Sequence, residues 1–181
     1  MDSAVRRSED VSTTIAVPQR ALDFDSLYRT ARDDVYAYVA TLLRDRGAAE
    51  DVTAQAFERA FRRRRGFDAR RGSPRAWLFG IARNAALDEL RRRKRGAALA
   101  AEPADPATPA LEDEAELALR RAAVRAALAQ LEPRDRELIA LKFHAGLATT
   151  EIAAVFGVSE SNAGTRLHRA MQKLRKALDE S

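Results

Sequence analysis

The side chains best suited to chemistry lie near the C-terminus, in residues 149–176. Hydrogen-bonding and cationic residues recur there three and four positions apart, which places them on one face of a helix: Ser161, Asn162, Thr165, His168, Arg169 and Lys173. Such groups pair with base edges in DNA, and an Arg on guanine is the commonest specific contact. Arg166, beside this face, can reach a phosphate instead. The chemistry that this segment favours is the reading of DNA.

Two short helices around a tight turn must position these side chains. Thr149 or Thr150 can cap the first helix, with Glu151 in its first turn. Gly157 can end that helix in the left-handed conformation, and Ser159 can cap the second. This pattern is typical of a helix-turn-helix. An ordinary helical hairpin with a solvated basic face gives a similar pattern, so the segment alone leaves both interpretations open.

Composition excludes several functional classes. The chain has 181 residues, a formal net charge of +5 and no Cys, which excludes disulfides, thiolate metal sites and Cys nucleophiles. His144 and His168 have no third ligand near them in sequence, so we predict no metal site. Neither a glycine-rich phosphate loop nor a His with a paired carboxylate is present. We therefore predict no catalytic residues, no cofactor and no enzymatic activity.

The chain is predicted to be all-α, with two small helical domains joined by a flexible, acidic linker rich in Pro and Ala. Residues 1–19 are predicted to be a disordered lead-in that lacks the features of a signal peptide. The N-terminal domain is predicted over 20–95, the linker over 96–113 and the C-terminal domain over 114–181. No apolar run is long enough to span a bilayer, which predicts no membrane insertion and a cytoplasmic location.

Apolar residues at helical spacing predict three helices in the N-terminal domain. The first carries a stripe that includes Tyr28, and Gly47 ends or follows it. The second turns Phe57 and Phe61 inward. A Ser-Pro pair at 73–74 predicts the start of the third. In the C-terminal domain, Pro133 predicts a helix start, and Val124 and Phe143 are among the core candidates.

Polar residues of the N-terminal domain form three further groups. Asp51, Gln55, Glu58 and Arg59 share one face of the second helix, which can be a docking face or simply a solvated one. The loop before the third helix carries Phe67, Arg70 and Arg71, and Phe67 can equally belong to the core. The third helix carries Arg83 and Asn84 and ends in five consecutive cations, residues 91–95. These cations, among them Arg91, Arg92 and Arg95, can neutralise phosphates or satisfy the helix dipole.

Taken together, the segments resemble a bacterial RNA polymerase sigma factor of the extracytoplasmic-function (ECF) class. The segment similar to the core-binding region is AAEDVTAQAFERAFR. The segment similar to the promoter-melting and minus-ten region is FDARRGSPRAWLFGIARNAALDELRRRKR. The segment similar to the minus-thirty-five domain runs from Leu131 to Leu178. Each motif alone is moderately specific, whereas all three in this order are highly specific.

The resemblance implies partners and roles. The face of Asp51, Gln55, Glu58 and Arg59 would dock on the coiled-coil clamp of the largest subunits of core polymerase. The loop with Phe67, Arg70 and Arg71 would receive a base flipped from the non-template strand, and the helix after it would read the minus-ten element. The partners are then core polymerase, duplex and single-stranded promoter DNA, and an anti-sigma factor, which could hold the protein at the membrane.

Two departures from the family pattern stand out. Ala148 replaces the usual Ser-like cap, so Thr149 is expected to take the capping role. Gly164 lies inside the recognition helix, where Gly costs about 1 kcal/mol relative to Ala. The rival to the sigma factor interpretation is a stand-alone helix-turn-helix regulator, which would bind DNA without polymerase. An enzyme or a helical scaffold explains fewer of these features.

Overall fold

A computed structural model describes residues 22–97 and 115–179, and all regular secondary structure in these residues is helical. The helices are α1 (Phe24–Leu43), α2 (Arg46–Arg63), α3 (Pro74–Ala97), α4 (Ala115–Gln130), α5 (Pro133–Phe143), α6 (Thr149–Phe156) and α7 (Glu160–Asp179). Two short 3₁₀ turns, Arg64–Gly66 and Ala69–Arg71, connect α2 to α3. The predicted all-α class is confirmed. The predicted lead-in and nearly all of the predicted linker lie outside the described residues.

Helix caps explain where most of the helices begin. Asp23 accepts a hydrogen bond from the Ser26 amide at 3.0 Å, and Asp45 accepts one from the Ala48 amide at 3.0 Å. The predicted start of α3 is confirmed, because the Ser73 hydroxyl accepts from the Ala76 amide at 3.1 Å and Pro74 follows as the first helical residue.

Two predicted helix boundaries are wrong. Helix α1 ends at Leu43 and is capped by Arg44, which adopts the left-handed conformation at φ 53°, and Gly47 lies inside α2. Asp45 starts α2 earlier than predicted because its side chain caps it. At α6, Ala148 holds the N-cap position and Thr149 is the first helical residue, so Thr149 does not cap. Glu151 compensates by accepting from the Ala148 amide at 2.9 Å.

The largest apolar core of the described residues includes residues from both halves of the chain, and a smaller cluster of Leu131, Ile139 and Ala170 lies within the C-terminal half. Val35, Tyr38 and Phe79 are fully buried in the N-terminal half, and Leu141 and Ile152 in the C-terminal half. Contacts between α1 and α5 and between α3 and α6 join the halves. The structure therefore places the helix-turn-helix directly against the N-terminal helices.

Some predicted core residues are exposed. Phe61 is 48% exposed and Phe143 is 62% exposed, while Tyr28 and Val124 are each 42% exposed. Phe61 still contacts Phe24, with ring centroids 5.2 Å apart, and the guanidinium of Arg64 lies over its other face at 3.7 Å. Phe61 thus lies at the edge of the core and is only partly covered by its neighbours, which the helical spacing of apolar residues did not predict.

The C-terminal half is tied together by a buried cation. The Arg136 guanidinium donates to the carbonyls of Leu128 at 2.9 Å and Leu131 at 2.9 Å, at the C-terminal end of α4. The Leu128 carbonyl also accepts from the amide of Leu131, the first residue after α4, at 3.2 Å, so Arg136 adds hydrogen bonds at the C-terminal end of α4 and links α4 to α5. None of the helices in the described ranges combines the length and hydropathy that crossing a bilayer would require.

Candidate nucleic-acid interface

A cavity at the start of α3 brings together most of the residues predicted to take a flipped base. Its lining includes Phe67, Arg70, Arg71, Trp77 and Asn84. The two 3₁₀ turns hold the loop residues over the helix, and Asn84 reaches the cavity two turns after Trp77. Aromatic rings beside cations and an amide suit a nucleotide, because bases stack on rings and phosphates pair with cations.

The aromatic pair in this cavity is fixed by mutual contact. Phe67 and Trp77 pack edge to face with ring centroids 5.5 Å apart, and both side chains are half-buried. Phe67 is therefore neither a core residue nor a free one. It offers part of its surface to the cavity while its edge is held in place.

Asp68 is a cavity residue that the sequence analysis missed. Its carboxylate accepts from the Arg70 side chain at 3.2 Å and from the Arg70 amide at 3.0 Å, and these hydrogen bonds lower the pKa of Asp68. The Arg70 guanidinium is thus pre-oriented by a carboxylate at the mouth of the cavity. A phosphate would have to compete with Asp68 for this cation. The sequence feature that could have predicted this contact is the position of Asp68, two residues before Arg70 in a turn.

Arg83 does not join Asn84 in the cavity. Its side chain leaves the cavity side of α3 and forms an ion pair with Glu137 of α5, with 2.5 Å between Nε and Oε1. Its guanidinium also lies 4.6 Å from the ring centroid of Phe156. Consecutive helical residues point about 100° apart, so Arg83 and Asn84 face different neighbours in this arrangement.

The run of cations at the end of α3 is largely neutralised by carboxylates. Arg91 pairs with Asp88 at 3.2 Å, Arg92 pairs with Glu89 at 2.8 Å, and Arg93 bridges Glu89 and Asp45. Burial disfavours the charged form of Glu89, but the hydrogen bonds from Arg93 and Arg92 outweigh this effect and lower its pKa. Among the ion pairs of the described residues, none involves Lys94 or Arg95, and both side chains are exposed.

Helix α7 presents the predicted recognition face to solvent. Ser161, Asn162, Thr165, Arg166, His168, Arg169 and Lys173 are all exposed. Ala163 and Ala170 are buried on the opposite face, which anchors the helix against α5 and α6. Two of the exposed residues have partners: Lys173 pairs with Asp135 at 2.5 Å, and His168 contacts Gln172 at 3.0 Å. Arg169 and Thr165 remain available to an external ligand.

The turn before α7 has the predicted geometry. Gly157 is left-handed at φ 66°, which favours glycine, and the Ser159 hydroxyl accepts from the Asn162 amide at 3.3 Å. Both predictions are confirmed. Gly164 leaves room at the interface with α6, since a Cβ there would lie 3.7 Å from Thr149 Cγ2, an ordinary contact.

The predicted docking face of α2 is exposed at its acidic and amide positions. Asp51, Gln55 and Glu58 are exposed, and Glu58 pairs with Arg62 of the same helix at 2.5 Å. Arg59 is half-buried and pairs with Asp88 of α3 at 3.5 Å. The first three side chains therefore form the accessible part of this face.

Comparison with known families identifies both halves of the chain. The profile for sigma-70 region 2 matches residues 27–96, and the profile for sigma-70, region 4 matches residues 121–174. The ECF RNA polymerase sigma factor SigL of Mycobacterium tuberculosis is 33% identical over 156 residues, which cover 86% of this chain and 88% of SigL. The ECF RNA polymerase sigma factor SigK of Mycobacterium bovis is 30% identical over 162 residues and 87% of each chain.

Solved structures share the fold. The sigma factor RpoE of Bartonella quintana, in complex with the anti-sigma factor NepR, matches with a TM-score of 0.74 at 24% identity. That match covers 87% of this chain and 97% of RpoE. CnrH, in complex with the cytosolic domain of CnrY, matches with a TM-score of 0.64 at 26% identity, over 87% of this chain and 88% of CnrH.

Proposed function

The chain belongs to the family of ECF RNA polymerase sigma factors, and we propose that it acts as a dissociable initiation subunit. It directs core RNA polymerase to specific promoters and helps to melt them. The observation that carries this function is the presence of sigma-70 regions 2 and 4 in order on one chain, matching residues 27–96 and 121–174. A stand-alone helix-turn-helix regulator would not need region 2, so this alternative is not favoured.

The two halves divide the promoter between them. Residues 20–95 form the domain that binds core polymerase and reads the minus-ten element, and residues 114–181 form the domain that reads the minus-thirty-five element. Residues 96–113 connect them. The exposed face of α7 supports the second role, because Thr165 and Arg169 are free to enter a major groove. The cavity of Phe67, Arg70, Arg71, Trp77 and Asn84 supports the first, because it suits one unstacked base.

The residues proposed to contact the minus-ten element differ in how free their side chains are to reach DNA. Phe67, Arg70, Arg71 and Asn84 line the cavity directly. Arg95 is exposed and suits a phosphate, whereas Arg91 and Arg92 must first leave their carboxylate partners. Arg83 would contact DNA only after leaving Glu137.

The protein partners follow from family membership and from the accessible face of α2. Asp51, Gln55 and Glu58, with Arg59 beside them, dock on the coiled-coil clamp of core polymerase. An anti-sigma factor is a second partner, by analogy with the fold-related RpoE, which forms a complex with NepR. Since the chain acts with polymerase, we place it in the cytoplasm, where a membrane-anchored anti-sigma factor would hold it near the membrane. Promoter recognition of this kind involves no catalytic residue, cofactor or metal in the chain itself.

Run-off transcription tests this function. Core polymerase with and without the purified chain is given a library of promoters from the source genome, and the 5′ ends of the transcripts are sequenced. We expect a set of starts that requires the chain and shares a minus-ten and a minus-thirty-five element. Starts that are the same with and without the chain would exclude the sigma factor function.

A further inference from the structure

Six arginines lie within ten residues where α2 gives way to α3: Arg62, Arg63, Arg64, Arg65, Arg70 and Arg71. The segment 62–71 covers the end of α2, the two 3₁₀ turns and the mouth of the cavity proposed for the flipped base. Only Arg70 and Arg71 of this set have a role in that proposal. Because like charges at this density repel each other, a partner of opposite charge stabilises each of them.

Three of these side chains are held by neighbours on the chain: Arg62, Arg64 and Arg70. The first pairs with Glu58 one turn back at 2.5 Å. The second lies over the ring of Phe61 and donates to the Phe61 carbonyl at 2.7 Å. The third pairs with Asp68 at 3.2 Å. Half of the arginines in this segment are therefore already occupied.

The side chains of Arg63 and Arg65, here called the rim arginines, have no such partners. Both are exposed and, among the described residues, form no ion pair, side-chain hydrogen bond or ring contact. Arg71 is also exposed, but it lies close enough to Asp68 for their charges to interact. Arg63 is the last residue of α2, and Arg65 directly precedes Gly66, which lines the cavity. Two unpaired cations thus lie beside the cavity.

The run of cations at the end of α3 is less available to a phosphate. Carboxylates neutralise most of that run: Arg91, Arg92 and Arg93. A phosphate that binds one of these must displace a carboxylate, whereas at an exposed and unpaired guanidinium it displaces only water. Lys94 and Arg95 lie about three helical turns beyond Asn84, which lines the cavity. The rim arginines are therefore the better phosphate ligands close to the cavity.

We propose that the rim arginines bind phosphates of the single-stranded minus-ten element, next to the nucleotide whose base enters the cavity. A nucleotide within a strand has a phosphate on each side, so a base in the cavity brings negative charge to its rim. Arg binds a phosphate through two parallel hydrogen bonds and keeps its charge at physiological pH. Such contacts give affinity without sequence information, so they hold the strand while the cavity reads the base. This inference rests on the proposed minus-ten role of the cavity.

Arg63→Gln together with Arg65→Gln in the full-length chain tests the site. Gln removes the charge but keeps a polar side chain, and both positions are exposed, so the helical content measured by circular dichroism should be retained. The matched control removes two other exposed cations, with Arg29→Gln and Arg44→Gln on α1 and at its cap. Arg63→Lys together with Arg65→Lys restores the charge. Each chain is combined with core polymerase, and its affinity for a minus-ten single-stranded oligonucleotide is measured over a series of salt concentrations.

We expect the double Gln variant to bind more weakly and with a shallower dependence on salt. The slope of log affinity against log salt concentration should fall by about 1.4, because each phosphate contacted on a single strand contributes about 0.7. The double Lys variant and the control should keep the slope of the parent chain. Replacing the flipped base should weaken all four chains by the same factor, since the rim arginines do not read it. Equal slopes in the double Gln variant and the control would overturn the proposal, as would a double Lys variant that does not restore the slope.

Uncharged methylphosphonate linkages, placed one at a time in the oligonucleotide, locate the phosphates. In the parent holoenzyme, neutralising a linkage beside the flipped nucleotide should weaken binding. In the double Gln variant the same replacement should have no further effect, because the interaction is already lost. Equal losses in both chains at every linkage would show that the rim arginines do not contact these phosphates. A lower affinity of the double Gln variant for core polymerase would assign the rim arginines to the polymerase instead and would also overturn the proposal.

Failure of this site can be distinguished from failure of the function on which it rests. If the double Gln variant and the control bound the strand equally well and run-off transcription remained specific, the phosphates would be bound elsewhere and the sigma factor function would stand. If the parent holoenzyme did not prefer the minus-ten strand to an unrelated strand, and transcription starts did not require the chain, the proposed function would fall and the phosphate site with it.

Discussion

At the scale of single residues, the two proposed DNA-reading surfaces rest on different chemistry. Arg169 is an exposed cation on the outer face of α7, suited to a base edge in a major groove. Asn84 is an exposed amide at the cavity of Phe67 and Trp77, suited to an unstacked base. Each substitution should therefore damage one step of promoter recognition and spare the other.

Arg169→Ala should weaken binding to minus-thirty-five duplex by about 1–3 kcal/mol and relax the preference at one base pair. Asn84→Ala should leave duplex binding intact and weaken capture of a forked minus-ten probe. Gel shifts of the holoenzyme on separate duplex and forked probes measure both effects. Arg175→Ala, an exposed cation farther along α7, is the control for lost charge. Equal defects of Arg169→Ala and Asn84→Ala on both probes would contradict the division of labour.

His144 gives the fold a predictable pH dependence. Burial lowers the pKa of His144 from 6.5, and this effect outweighs the nearby charge of Asp34, which raises the pKa. The imidazole ring contacts the Thr41 hydroxyl at 3.3 Å, and the backbone carbonyl of His144 accepts a hydrogen bond from the Arg75 guanidinium. Below about pH 6.5 the unfolded chain takes up this proton more readily than the folded chain, so stability falls as the pH falls from there toward the lowered value.

Urea unfolding between about pH 7.5 and about pH 5.5 measures this effect. The parent chain should lose stability across this range, and His144→Gln should flatten that loss because it cannot titrate. His168→Gln, at an exposed position of α7, should keep the slope of the parent chain. Parallel curves for the parent chain and His144→Gln would contradict the assignment.

At the scale of helices, α7 carries a glycine that packing does not require. Gly164 has ordinary helical geometry, and a Cβ at this position would make a normal contact with Thr149 at 3.7 Å. Gly164→Ala should therefore stabilise the chain by about 1 kcal/mol. Gly157→Ala is the opposite case, because φ 66° strains any side chain, and it should destabilise. Thermal unfolding of the two variants shows whether each substitution stabilises or destabilises the chain. Destabilisation by Gly164→Ala would show that the close approach of α6 and α7 needs the glycine.

The local signals in the sequence predicted several helix starts and the exposed face of α7, and they failed where competing local signals or distant residues decide. Ser73, Gly157 and Ser159 act through their own backbone neighbours, so spacing alone located them. The end of α1 at Leu43, with Arg44 as its cap, and the cap of α6 by Glu151 depended on competing local signals. The direction of the Arg83 side chain depends on its ion pair with Glu137, 54 positions away in the sequence, and no local pattern of α3 can indicate such a partner.

At the scale of the whole molecule, the faces proposed for polymerase and for DNA lie on different helices. Asp51 and Glu58 on α2 form an accessible acidic face, whereas the candidate DNA contacts come from the α2–α3 loop, α3 and α7. This separation allows core polymerase and promoter DNA to be bound at the same time, as an initiation subunit requires.

Reversing both charges with Asp51→Lys and Glu58→Lys should weaken binding to core polymerase while the helical content is retained, because both side chains are exposed. The matched control reverses two other exposed carboxylates, Asp25→Lys and Glu132→Lys, and should bind normally. Affinity is measured by titrating labelled chain with core, alongside circular dichroism. Unchanged affinity of the first double variant would place the docking face elsewhere.

Permanganate footprinting at a promoter found by run-off transcription tests whether this chain and core polymerase melt promoter DNA together. Thymines of the minus-ten element should become reactive when core polymerase and the chain are both present, and stay protected with either alone. The Asn84→Ala holoenzyme should show reduced reactivity at those thymines while still occupying the minus-thirty-five element. Reactivity with core alone, or none when both are present, would contradict the account of this chain as a promoter-melting sigma factor.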